Sequence, residues 1–298
     1  MRLKQIGEFG LIKKFQQQIK LNSSVVAGSG DDCAVLKFNR QFYQLFTCDM
    51  MVEGVDFTRQ TPLELVGRKA LAISISDIAA CGGVPQHAVV ALGLPGRLSV
   101  EEVERLAAGL FKLARKFQIN IVGGDISSAQ KLIIDVSMLG VVKKNNLCLR
   151  RGAKTGDLIM VTGSFGGSIK SKHLNFTPRL KEAQFLVKNF KINAMIDVSD
   201  GLAADLGQIL EQSKVGAVLY ESLIPLSPQA AGTQDALCSG EEFELIFCAS
   251  RQEASKIIKN NKFNLKVIGE VMPQAFGVRL IDYKNRYLRL LPKGYRHF

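Results

Sequence analysis

The chain has 298 residues, 47% hydrophobic and 22% charged, with a net charge of +12. That length allows two domains with a core each, and the composition excludes a disordered chain. No apolar run approaches the roughly 18 residues that span a bilayer, and Met1 to Gly10 lacks the apolar centre of a targeting signal, so a soluble, cytoplasmic protein without a membrane partner is expected. Six cysteines without a C-x-x-C pair, and only three histidines, argue against a zinc site or a disulfide framework. The positive charge is spread evenly, with 18 basic and 13 acidic residues in 1–149 and 21 and 14 in 150–298. Even its densest stretch, Lys284 to Arg296, lacks interleaved binding motifs. A solvated basic face, or an enzyme that handles polyphosphates, fits this better than a nucleic-acid binder.

In chain order, Met1 to Leu21 has weak helical spacing, and Leu36 to Asp49 reads as two strands around a turn at Asn39-Arg40. Thr61-Pro62-Leu63-Glu64 has the form of a capping box, opening a helix that Gly82-Gly83 and Pro85 close. His87 to Leu94 reads as a buried strand. Ser99-Val-Glu-Glu102 caps a helix whose apolar face runs from Val103 to Phe117, and a short strand then ends in Gly123-Gly124-Asp125. Leu132 to Val142 is a further strand, and Lys143 to Asn146 is the expected boundary between domains 1–145 and 146–298. The second half alternates again: a strand through Val161, a glycine-rich turn at 163–168, a helix over 176–190, and a strand from Ala194 breaking into Asp197-Val-Ser199-Asp200-Gly201 before a helix on Leu202. Strands at 217–221, 243–248 and 265–271, a helix capped by Ser250, and a closing hairpin complete a mixed α/β order. Neither a Walker-type P-loop nor a strand-linked G-x-G-x-x-G is present.

Asp31-Asp32, Asp49, Asp77, Asp125, and Asp197 with Asp200 repeat one design: a carboxylate in or at the end of an apolar element, mostly beside Gly, Ser or Thr. Converging carboxylates repel one another unless cations sit between them. Hard divalent ions such as Mg²⁺ answer that need, bridging carboxylates and substrate phosphates. Arg150-Arg151 could clamp a phosphate or simply be solvated.

Gly28-Ser-Gly-Asp-Asp-Cys-Ala-Val-Leu36, Thr47-Cys-Asp-Met-Met-Val-Glu-Gly-Val55, Ala70-Leu-Ala-Ile-Ser-Ile-Ser-Asp-Ile-Ala-Ala80, Gly123-Gly-Asp125, Arg150-Arg-Gly-Ala153 and Ile196-Asp-Val-Ser-Asp-Gly-Leu202 follow one another in an order that resembles the thiamine-monophosphate kinase family. This family lies in the aminoimidazole-ribonucleotide synthetase and selenophosphate synthetase superfamily. The likeness runs from about Ile6 to Gly294-Tyr-Arg-His-Phe298 and includes Ser239-Gly-Glu-Glu-Phe-Glu-Leu245.

The resemblance implies an α/β (α+β) chain of two-domain PurM-like architecture, whose N-terminal mixed sheet pairs with its copy in a homodimer. It also implies ATP-dependent phosphoryl transfer to thiamine monophosphate, with Mg²⁺ and without nucleic acid. Carried over by motif, Asp31, Thr47, Asp49, Asp77, Asp125, Asp197 and Asp200 would bind metal, and Gly124, Asp125, Arg150 and Ser199 would contact ATP. Asp56, Glu241 and Tyr295 would face the substrate. Asp56 stands where that family usually has a histidine, Cys48 replaces a hydroxyl residue, Ile126 a threonine and Glu242 an aspartate. Asp56 therefore leaves open another ATP-dependent enzyme of the superfamily with a different acceptor. A non-catalytic basic module is the reading from a different class, motivated by the charge.

Overall fold

The computed structural model describes residues 3–260 and 262–296. Met1 and Arg2 of the expected first helix, and His297 and Phe298 of the terminal motif, lie outside the described residues. The first half comprises α1 (Leu3–Gln16), bent at Gly7 where φ is 67°, then β1 (Val25–Ala27), β2 (Ala34–Lys37) and the long β3 (Phe42–Val52). After these come α2 (Leu63–Ala80), β4 (Val84–Leu94), α3 (Val100–Phe117), β5 (Asn120–Ser128) and β6 (Ile133–Lys143). Six strands form one sheet in the order β1-β2-β3-β6-β4-β5. Only β4 and β5 run parallel, because α3 crosses between them.

Helices α2 and α3 cover one face of this sheet, and the side-chain alternation records it. Along β3, Leu45, Thr47 and Met51 are buried, while Phe46 and Met50 are 42% and 60% exposed on the other face. The same bare face changes the expected buried strand at His87 to Leu94. It extends from Val84 and alternates, with Ala88 and Val90 inside and Val89 outside. Likewise β5 does not stop at Asp125 but continues to Ser128 as an exposed edge. The box expected at Thr61 does not form either. The Thr61 hydroxyl accepts the Thr58 N–H at 3.1 Å, so α2 starts after Pro62 without a side-chain cap. On α3 the Ser99 box is complete.

The second half contains β7 (Leu158–Val161), α4 (Leu180–Asn189), β8 (Ala194–Asp197), α5 (Leu202–Ser213), β9 (Gly216–Tyr220) and the short α6 (Thr233–Cys238). It continues with β10 (Leu245–Ala249), α7 (Arg251–Lys259), β11 (Lys266–Met272) and the hairpin β12 (Val278–Ile281) and β13 (Tyr287–Arg289). Its seven strands are ordered β13-β12-β9-β11-β7-β10-β8. Both faces of its central strands are covered, so β7, β8, β9 and β10 are buried almost throughout, whereas β13 at the edge is exposed. Ile159, Val161, Ile196 and Ile246 point to the side of α5 and α6. Met160, Met195, Leu245 and Phe247 point to the side of α4 and α7. No helix among the described residues is long and apolar enough to cross a membrane.

The two lobes meet along α2. Its Ile75 and Ile78 lie in the first core, whereas Ala79 and Ala80 pack into the second. In return, Phe176 and Phe243 from the second half stack at 4.0 Å inside the first core. Against α3, α2 packs backbone to backbone. A Cβ on Gly67 would fall 2.0 Å from the Leu106 carbonyl oxygen, and one on Gly109 would fall 1.9 Å from that of Glu64. No side chain can yield at such a contact, so Gly109→Ala should destabilise the fold by about 3 kcal/mol, the upper end for overpacking. Chemical denaturation would measure it, and a loss under about 0.5 kcal/mol, within the range of ordinary surface changes, would contradict this crossing.

Candidate active site

The site lies where α2 passes between the sheets. Odd-numbered residues of β3 face α2, which brings Thr47 and Asp49 toward it and leaves Cys48 on the outer face beside Asp135 and Ser137. Thr47 Oγ1 donates to Asp77 Oδ2 at 2.5 Å, and Ser74 Oγ donates to Asp49 Oδ2 at 2.7 Å. One turn of α2 thus presents Ser76 beside Asp77, and Ser76 Oγ crosses the seam to Asp197 Oδ2 on β8 at 2.5 Å. Asp32 completes the group from the loop between β1 and β2. Its Oδ1 accepts from Arg150 Nη2 at 2.7 Å and Nε at 3.2 Å, while its buried Oδ2 has no hydrogen-bond partner.

Carboxylate oxygens of Asp32, Asp77 and Asp197 all lie within 4.8 Å of one another. Burial, and then the charges of Asp49, Asp197 and Asp32, push the Asp77 carboxyl well above its usual range. Burial and Asp32 raise Asp197 to about 8, and burial raises Asp49 to about 6 despite the Ser74 hydrogen bond. Asp32 is raised by burial against the pull of Arg150. Burial works against the Arg150 charge, but Asp32 outweighs it and holds the guanidinium firmly protonated. Three close, desolvated carboxylates with an orphaned oxygen make an all-oxygen donor set, which fits a hard divalent cation such as Mg²⁺.

The other expected site residues are spread around this centre. Asp31 faces the neighbouring loop, accepting the Arg150 backbone N–H at 2.6 Å. It lines a cavity of about 890 Å³ with Gly28, Arg150, Arg151, Gln208 and Tyr295. Asp200 lies in the turn before α5. Its N–H and that of Gly201 are held by buried Asp205, each at 3.0 Å, and its carbonyl accepts the Tyr295 N–H at 2.9 Å. Ser199 accepts the Glu241 N–H through its carbonyl at 2.6 Å. Asp56 Oδ2 accepts the Val52 N–H at 2.7 Å, closing its own turn. Gly124 and Asp125 are not with the triad: they line a smaller hollow on the outer sheet face with Asp135 and Ser137. Gly124 has a packing reason of its own, since a Cβ there would strike the Val90 carbonyl oxygen at 1.9 Å.

The Asp31-Asp32 pair was marked in the sequence with Asp31 as the expected ligand, and in the structure Asp32 is the one of the two that joins Asp77 and Asp197. Sequence reasoning passed over Ser74, Ser76 and Lys69, although small hydroxyls and a lysine in a helix otherwise apolar all round are a readable signal. The chain belongs to the AIR synthase related proteins: the N-terminal domain of that family matches residues 30–142 and its C-terminal domain residues 154–281. Within them, the chain belongs to the thiamine-monophosphate kinase family. It is 35% identical to the thiamine-monophosphate kinase of Rhodopirellula baltica, with 92% of each chain covered. With that of Bacillus subtilis it shares 32% identity, over 98% of this chain and 100% of the relative. The solved structure of AaThiL complexed with AMPPCP and TMP superposes with a TM-score of 0.86 at 29% identity, covering 100% of this chain and 99% of that one.

An unfolded aspartate titrates near ~4, and these buried carboxyls titrate higher. In the metal-free protein they therefore favour the fold at low pH, and that contribution is lost as pH rises through about 8, the value reached by Asp197. A bound cation opposes the loss. Without Mg²⁺, the Tm should fall from about pH 4 to about pH 8, and the increment from millimolar Mg²⁺ should grow over the same interval. An increment that ignores pH would count against the triad as a cation site.

Proposed function

We propose that this chain transfers the γ-phosphoryl group of ATP to thiamine monophosphate, giving thiamine diphosphate and ADP, with Mg²⁺ at the carboxylate triad. The observation that carries this reading is the convergence of Asp32, Asp77 and Asp197 beside Arg150, next to a cavity of about 890 Å³. Identity of 32–35% to thiamine-monophosphate kinases over nearly the full length, and the AMPPCP and TMP of AaThiL, support the choice of substrates. Mg²⁺ held by the triad would neutralise charge on the transferring phosphate. The metal role expected of Asp31, Thr47, Asp49 and Asp200 is proposed around that centre.

The remaining work falls to the chain itself. A phosphate monoester has its second pKa near ~6, so the attacking oxygen is already an anion at neutral pH and no general base is required. The task is to bring two anions together in line. Arg150, fixed by Asp32, and Arg151 supply positive charge at the mouth of the cavity, which is large enough for a nucleotide. Ser199 and Gly124 are the further ATP contacts proposed. Asp56, Glu241 and Tyr295 would meet the acceptor, whose thiazolium cation suits an acidic surround. Burial, and then the charges of Asp56 and Glu241, raise the hydroxyl pKa of Tyr295.

The bare face of the first sheet, with Phe46, Met50 and Val89 exposed, is proposed to pair with a second copy. Asp125 lies on that face, and its metal role is proposed across the pairing. Residues 1–145 and 146–298 are the proposed domains. The free thiols, Cys33, Cys81, Cys148 and Cys248 among them buried, suit the cytoplasm.

Mass-spectrometric analysis after incubation with ATP, Mg²⁺ and thiamine monophosphate should detect thiamine diphosphate. Asp77→Asn and Asp32→Asn should each lower turnover by roughly 1000-fold while circular dichroism stays unchanged. Undiminished turnover in both would sink the site assignment. No product from folded wild-type protein that binds ATP would favour a different acceptor, with Asp56 as the residue to exchange first.

A further inference from the structure

Lys69 is among the largest fully buried side chains of the protein, set in the middle of α2. A buried ammonium is costly unless it is paired. Its Nζ lies 2.6 Å from Glu241 Oε2 and 3.4 Å from the Asp56 carbonyl oxygen, so it touches two of the three residues assigned to the acceptor. Glu241 is held in a conformation its own residue type disfavours, with φ at 65° in the left-handed region. Its N–H donates to the Ser199 carbonyl at 2.6 Å and its carbonyl accepts from Ser168 Oγ at 2.5 Å. The neighbouring carboxylates are drawn elsewhere: Glu242 to Lys172 at 3.2 Å, and Glu244 to Lys172 and Arg179 at 2.8 and 2.6 Å. Of these three glutamates, Glu241 is the one paired with α2.

The position of Lys69 along the helix gives that pairing its meaning. Lys69 precedes Ser76 by seven residues and Asp77 by eight, so Lys69 and Ser76 share one face of α2 with Asp77 about a quarter turn round, and Lys69 and Asp77 are about 12 Å apart along the axis at 1.5 Å per residue. One rigid element thus grips the acceptor loop at one end and the carboxylate triad at the other.

We propose that Lys69 is a positioning residue for the phosphoryl acceptor, holding Glu241 at a fixed span from the triad. This rests on the function proposed above, in which Glu241 meets thiamine monophosphate. A lysine that served stability alone would change the melting temperature without separating the two substrates.

Steady-state kinetics on Lys69→Met, Glu241→Gln and the double variant make the test, with amide hydrogen exchange over residues 240–244. Lys69→Met should raise KM for thiamine monophosphate roughly ten- to a hundredfold, leave KM for ATP within about twofold, and lower protection at 240–244. The double variant leaves no charge buried without its partner, which keeps the comparison available if Lys69→Met folds poorly. Acting through Glu241, Lys69 adds nothing once that carboxylate is gone, so the double variant should match Glu241→Gln in acceptor KM. A higher acceptor KM in the double variant, or parallel rises in both KM values, would overturn the proposal. Wild-type protein that turns over no thiamine monophosphate would overturn the underlying function and the acceptor role with it. Unchanged protection at 240–244 in Lys69→Met would instead refute the hold on Glu241 alone.

Discussion

Buried carboxylates that repel one another are the constraint to which most of this structure answers. Each has one oxygen committed: Asp77 to Thr47, Asp197 to Ser76, Asp49 to Ser74 and Asp32 to Arg150. Hydroxyl donors hold the side chains in place without neutralising them, so the charge problem is left for a cation. Arg150 is the only cation hydrogen-bonded to Asp32 among the described residues, and it sits at the cavity side rather than within the cluster. Geometry is fixed beforehand, while the repulsion among the carboxylates is left in place.

Helix α2 makes that arrangement possible because it is buried on almost every side. Its small residues let it approach its neighbours closely: Gly67 against α3, and Ala79 and Ala80 against the second core. The polar residues Lys69, Ser74, Ser76 and Asp77 each reach a partner outside the helix, on three segments in all: Glu241, β3 and β8. A helix confined by two cores can neither slide nor rotate appreciably, since interiors are packed to crystal-like density. Precision at the site is therefore inherited from packing and not from the loops that carry Asp32 and Glu241.

Much of this was legible beforehand, and the reasons differ by element. Strong punctuation located α2 and α3, although the Ile73-Ser-Ile-Ser76 alternation has the period of a strand; burial from both sides overrides that local signal. Recurring Gly-Asp and Ser-Asp pairs marked the stretches that carry the site, and Asp77 and Asp197 do meet. What remained hidden depends on direction. Neither spacing nor composition shows which of two adjacent aspartates turns inward, so Asp32 was indistinguishable from Asp31. The outer location of Gly124 and Asp125 was equally invisible, because a period of two puts a residue on one face or the other without naming the face. Lys69 was missed because charged side chains in a helix usually reach solvent.

The stacked pair Phe176 and Phe243 bears on how the chain is made. The first sheet ends at Lys143, yet its core includes these two rings, the second of them supplied about 100 residues later. At synthesis rates of roughly 5–20 residues per second, that gap lasts about 5–20 s, during which the N-terminal lobe has emerged with part of its interior open to water. The interior of the first lobe is thus completed only when the second half of the chain arrives.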